Sequence, residues 1–196
     1  MVKERNLVLA GIGAPVLFWL TTFICAIIMG DYDHLSRMVS ELGAQGTKTR
    51  FLFSAGLVLT GMLSLLLVAG LYQICKKKGL SVAPALILLT FTFSISGAGV
   101  FPMPTRLHGV LGIPSILMPL SPLLALVFWR RSTLPRLKLS AFLSLLLMIM
   151  GFLVYFPDIL AGQFGLKQRF FHLGWSLWFA YLSWVFIRVR SATRHF

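Results

Sequence analysis

The run LVLAGIGAPVLFWLTTFICAIIM, residues 7–29, decides what kind of molecule this is. Coiled as a helix it crosses the ~30 Å of hydrocarbon in a bilayer, and it exceeds the ~7 to 15 apolar residues of a signal-peptide core. No small-x-small cleavage site follows it cleanly, so it reads as an uncleaved first span. Five further runs follow at 51–75, 80–101, 107–129, 139–160 and 170–187, and Asp158 is the only charge inside any of them. A helix in lipid satisfies its own backbone polar groups. The predicted fold is therefore all-α, a polytopic bundle of six transmembrane helices forming a single membrane domain over residues 1–196.

Composition agrees with the runs. Of 196 residues, 58% are hydrophobic and 12% charged, with a mean hydropathy of +0.88. A soluble domain is about 45 to 50% apolar and about 25% charged, and one of this size has no core large enough for the excess. These figures exclude a disordered chain, a secreted disulfide scaffold and a cytosolic enzyme. Cys25 and Cys75 fall late in successive antiparallel spans, near opposite faces of the bilayer, and read as small buried hydrophobes. The formal charge of +13 would suggest nucleic acid in a soluble protein. Here the cations sit between apolar runs, which points to anchoring. The expected partner is the lipid bilayer, with anionic headgroups at the cytoplasmic face, and no nucleic acid.

Alternating the connections across the membrane places twelve Lys and Arg on one side: Lys3, Arg5, Lys76, Lys77, Lys78, Arg130, Arg131, Arg136, Lys138, Arg188, Arg190 and Arg194. The other side has six, Arg37, Lys48, Arg50, Arg106, Lys167 and Arg169. By the positive-inside rule both termini are expected in the cytoplasm. Asp31, Asp33, Glu41, Asp158, His34, His108 and His172 then all fall on the outer side. Chemistry, if there is any, belongs to that face.

The connection after the first span carries Leu35, Met38, Val39 and Leu42 at i, i+3, i+4 and i+7, an apolar stripe that predicts a short interfacial helix over about 33–43. Asp31 or Asp33 is the expected N-cap and Gly43 the expected left-handed C-cap. On the polar side, Asp33 to Arg37 and Arg37 to Glu41 are i,i+4 pairs. These charges either face water and headgroups or turn inward over the bundle.

HLSRMVSELGA at 34–44, GAGVFP at 97–102 with LHG at 107–109, and Gln168-Arg169 before an aromatic-rich last span carry a resemblance over essentially the whole chain. On those residues the sequence resembles the bacterial family of six-helix integral membrane proteins catalogued as domain of unknown function 998. Where that pattern follows Phe-Pro with Cys or Asp, this chain has Met103-Pro104. The resemblance implies a multi-pass protein of the bacterial inner membrane and supplies no activity.

Other outer elements add candidates. His108 opens a span beside Arg106, a cation suited to phosphate or carboxylate. Pro114, Pro119 and Pro122 should kink or break the fourth helix. Asp158, late in the fifth span, needs a partner such as Arg169, Arg106 or a histidine. The leading functional expectation is an outward polar pocket for a lipid headgroup or lipid-linked substrate. In its metal-assisted hydrolytic form, Asp158 and Glu41 are the catalytic candidates, Arg37, Arg106 and Arg169 bind substrate, and His34, His108 and His172 are candidate ligands of a divalent metal. No HExxH or HxxxH motif occurs, so the enzyme reading stays open. The alternatives are a component of a small-solute transporter, weakened by the absence of charge at mid-span, and an assembly partner whose Gly11/Gly13 or Gly109/Gly112 pairs admit another helix, a homo-oligomer included.

Overall fold

A computed structural model describes residues 2–130, 132 and 134–191, and among them there is no strand. Two long helices open the chain, α1 (Val2–Met29) and α2 (Arg50–Lys77). The third span is α3 (Ala83–Leu86) continued by α4 (Leu88–Val100). The fourth is broken, as its prolines require: α5 (Arg106–Gly112), a 3-10 segment Ile113–Leu117 and α6 (Leu120–Phe128). The fifth is α7 (Leu137–Gly151) with a 3-10 turn Phe152–Tyr155, and α8 (Phe164–Ser191) is the sixth. All six spans are long and apolar enough to cross a membrane. Ile27, Phe51 and Phe93 are exposed by 78%, 79% and 65% on three different spans, a surface that suits lipid and not water.

The start of α1 and the later part of α8 come to one end of the bundle. There Glu4 pairs with Lys77, Ser183 Oγ donates to Val8 O at 2.7 Å, and Trp129 Nε1 donates to Ser81 O at 2.9 Å. Cys25 and Cys75 are buried and unbridged. The opposite end, here called the loop end, is closed by residues 30–49, with Gln45 N donating to Met103 O at 2.8 Å. Between the two ends the core is aromatic: Phe18, Phe91 and Phe179 surround Trp175 at centroid distances of 5.3, 4.5 and 5.3 Å. Trp178 Nε1 donates to Ser121 Oγ at 2.8 Å, and that hydroxyl donates to Pro84 O at 2.7 Å, which ties α8, α6 and α3 through satisfied polar groups. Gly11 lies close against Ser183 and Leu67 of the same chain, whereas a Cβ at Gly109 or Gly112 would meet nothing within 4 Å.

Three boundaries differ from the sequence expectation. The interfacial helix of 33–43 is reduced to a 3-10 turn, Val39–Gly43, preceded by a turn that the Asp33 carboxylate caps through Leu35 N and Ser36 N. Gly43 is not in the left-handed region: Gly46 takes that conformation, with φ +85°, while Gly43 packs on the Phe53 ring. The fifth span stops at Tyr155, so Asp158 lies beyond it in an exposed turn. The last helix starts at Phe164, which places Lys167 and Arg169 inside it.

Candidate functional site

The loop end is built around the first turns of α8. A helix leaves its first N–H groups without intrahelical acceptors, and here loop carbonyls supply them: Gly165 N donates to Ser36 O at 3.3 Å and Leu166 N to Leu35 O at 2.9 Å. The reciprocal contact comes from Gln168, whose Oε1 accepts from Val39 N at 2.6 Å. Arg169 is 9% exposed, and its guanidinium donates to four acceptors, Arg37 O (3.2 Å), Gly165 O (3.0 Å), Tyr32 Oη (3.1 Å) and His34 Nδ1 (2.9 Å). The fully buried Lys167 ammonium donates to Phe156 O at 2.9 Å. Backbone carbonyls from two loops thus hold both cations.

Arg37 leans outward over this knot. Its Nε donates to Glu41 Oε2 at 3.0 Å, its Nη1 lies 3.7 Å from Asp31 Oδ1, and its guanidinium stands 5.2 Å from the Tyr32 ring centre. The second carboxylate oxygen of Glu41 accepts from Met38 N at 2.8 Å. Burial is the main force raising the Tyr32 phenol above its usual pKa of 10.0, and Arg169 opposes it. Arginine only donates, so His34 Nδ1 must accept, and His34 is neutral in this arrangement. Burial first, and then the Arg169 charge, hold its pKa below the ordinary 6.5. Because the unfolded imidazole binds its proton first, the stability this contact contributes is complete above about pH 6.5 and is lost as pH falls towards the depressed folded value. Thermal stability of the purified protein should therefore drop on acidification below about pH 6.5, and His34→Gln should flatten that part of the profile. An unchanged profile in the variant would show that another group titrates.

Beside the knot lies a recess of about 190 Å³, mostly apolar, bounded by α1, the loop, α2, α4, the fourth span, Phe152–Tyr155 and α8. Its polar lining comes from Ser40, Ser94, His108, Ser115, Gln168 and His172. The geometry of the fourth and fifth spans explains it. They pack together through α6 and α7, but towards the loop end α5 and Ile113–Leu117 lean on α4 while Phe152–Tyr155 leans on α8. The recess lies where they part, and Ile116 (42% exposed) and Tyr155 (65%) stand at its rim.

The two recess histidines are fixed differently. His172 Nδ1 accepts from Trp175 Nε1 at 3.0 Å; an indole only donates, so a neutral His172 carries its proton on Nε2. His108 Nδ1 lies 2.9 Å from Phe101 O, and a carbonyl only accepts, so the proton is on Nδ1 and a neutral His108 has Nε2 as an acceptor. Among the described residues, Ser144 Oγ is the only fully buried side-chain polar atom without a partner. Nε2 of the 8% exposed His172, which has none, consequently borders open space, and the space that His172 lines is the recess.

The sequence-derived candidates are thus dispersed over the loop end. His34, Arg37, Glu41 and Arg169 gather in the loop knot; His108 and His172 line the recess; Arg106 is exposed at the start of α5, and Asp158 is exposed beyond the fifth span. Among the described residues no three His, Cys, Asp or Glu are grouped to hold a metal ion. Gln168 and Ser115 were not singled out from sequence as recess residues. Of these two, only Gln168 had a signal, its place in the Gln-Arg pair before the last span.

Six apolar spans with lipid-suited flanks, whose buried charges Glu4, Lys167 and Arg169 lie near span ends, define a multi-pass membrane protein. Residues 12–185 match the family described as "Protein of unknown function (DUF998)", and the chain belongs to that family. No curated protein and no solved structure matches it.

Proposed function

We propose that this protein sits in a bacterial inner membrane with both termini in the cytoplasm, and that its recess, facing the outer leaflet, binds the polar end of a lipid or lipid-linked molecule. The tail leaves between the fourth and fifth spans. The observation that carries this reading is the parting of those spans at the loop end, with apolar Ile116 and amphipathic Tyr155 at the rim of a recess that also holds hydrogen-bonding groups. A water-filled site has no need of an apolar mouth. A hydrolytic role would engage Asp158 or Glu41 with His34, His108 or His172 around an ion. The separation of these groups, with the Glu41 carboxylate already engaged by Arg37 and Met38, favours binding without that chemistry.

Gly112 lines the recess and a Cβ there meets nothing within 4 Å, so a large side chain fits at this position without a clash at its root. Gly112→Phe should lower the amount of lipid retained through purification, read by native mass spectrometry, by about tenfold or more, a loss of ~1.4 kcal/mol in binding. Gly109→Phe on the same helix is the control, because Gly109 does not line the recess. Equal retention in both variants would sink the recess as the binding place.

A further inference from the structure

The recess has a donor and an acceptor but no charge. None of its lining residues is Asp, Glu, Lys or Arg. The four arginines of the loop end are placed elsewhere: Arg37 on Glu41 and Asp31, Arg169 on its four acceptors, Arg50 over the Phe51 ring at the start of α2, and Arg106 exposed at the start of α5. A phosphate seated in such a space would lose its hydration without gaining a cation, a cost that structural relaxation does not remove. An uncharged hydroxyl or carbonyl loses far less, and two hydrogen bonds repay it.

On this basis, and resting on the lateral-recess reading above, we infer that the ligand is an uncharged lipid alcohol: His172 Nε2–H donates to an oxygen of the head and His108 Nε2 accepts the hydroxyl proton, while the tail lies among Phe18, Phe152 and Ile116. The donor is the more telling half. A 92% buried histidine whose Nε2–H has no protein partner, in a core where Ser144 Oγ is the only fully buried side-chain polar atom left unpaired among the described residues, marks a place where a ligand oxygen completes the bonding. Two serines of the lining offer further acceptor lone pairs, because the hydroxyls of Ser94 and Ser115 both point their protons at Gly112 O, at 3.4 and 2.6 Å. Two tail types satisfy this head chemistry, a diacylglycerol and a long-chain polyprenol.

The experiment titrates the purified full chain in nanodiscs with four lipids: dioleoylglycerol, dioleoyl phosphatidic acid, undecaprenol and undecaprenyl phosphate. At least one of the two alcohols should bind about tenfold or more tightly than its phosphorylated counterpart, and whichever does identifies the tail. His172→Leu should abolish that preference, whereas Arg106→Gln, outside the recess, should leave it intact. Phosphorylated forms binding equally or better would overturn the uncharged-head inference while leaving a lipid recess in place. Binding of none of the four, together with a Gly112→Phe protein that retains lipid like Gly109→Phe, would remove both readings. The wild-type comparison decides the matter even if His172→Leu does not fold.

Discussion

Gly165→Val is expected to be among the most damaging single changes in this protein, because a Cβ at that position would collide with backbone. Its nearest neighbour would be the Arg37 carbonyl oxygen, followed by His34 O at 2.7 Å and Arg169 Nη1 at 2.8 Å. A flexible side chain could step aside. These carbonyls cannot, since Arg37 O already accepts from both Tyr32 Oη and Arg169, and the neighbouring Leu35 and Ser36 carbonyls cap the start of α8. Overpacking alone costs about 1 to 3 kcal/mol, and each buried donor left unpaired adds about 1 to 3. A total of about 3 kcal/mol or more is expected. Thermal unfolding in a fixed detergent should show a fall of many degrees, and hydrogen exchange should show the amides of Gly165 and Leu166 losing protection together. Gly109→Ala provides the contrast. It has no neighbour within 4 Å and lies inside α5, so it should be neutral or stabilising by up to about 1 kcal/mol. Comparable losses in the two variants would mean that the loop does not dock on α8 as described.

That docking also explains why the bundle was legible in the sequence and the loop was not. Each span is its own hydrogen-bonding unit in lipid, so uninterrupted apolar length reveals it, and Pro114 and Pro119 mark the breaks of the fourth span by a local rule. The loop obeys partners far away in the chain. Its stripe of Leu35, Met38, Val39 and Leu42 has helical spacing, yet Leu35 is 53% exposed while Val39 and Leu42 are buried. An α-helix over 33–43 would need the carbonyls of residues 35–37 for its own ladder, and those carbonyls are engaged by Gly165, Leu166 and Arg169. The Arg37 carbonyl for Arg169, and those of Phe156 and Pro157 for Lys167, let α8 carry cations in its first turns, which is why Lys167 and Arg169 looked like loop residues. His108 and His172 were legible as candidates because an imidazole is costly in a span. Their separate tautomers and the uncharged lining of the recess depend on Trp175, Phe101 and the parting of two spans, which no spacing encodes.

Arg169 supplies the second large effect, and it tests whether the buried cation organises the loop or merely tolerates burial. Four acceptors converge on it, and hydrogen bonds to a charged group contribute about 1.5 to 3 kcal/mol each. The desolvation of the guanidinium offsets much of that sum, so the net expectation for Arg169→Met is a loss of about 3 kcal/mol. Arg169→Lys should recover only part of it, since an ammonium is a compact charge with three donors and cannot reproduce the planar fork that reaches Tyr32, His34 and Arg37 from one position. A measurement beyond stability separates the roles. Without the guanidinium His34 loses both its donor and a repelling charge, so the His34 imidazole pKa should rise in Arg169→Met, and the acid-sensitive part of the stability profile should shrink. Histidine chemical shifts followed against pH in wild type and Arg169→Met would read this directly. If Arg169→Met keeps full stability and leaves the His34 titration where it was, the loop is held by its apolar contacts with Phe53 and by the α8 cap alone, and the cation is a passenger.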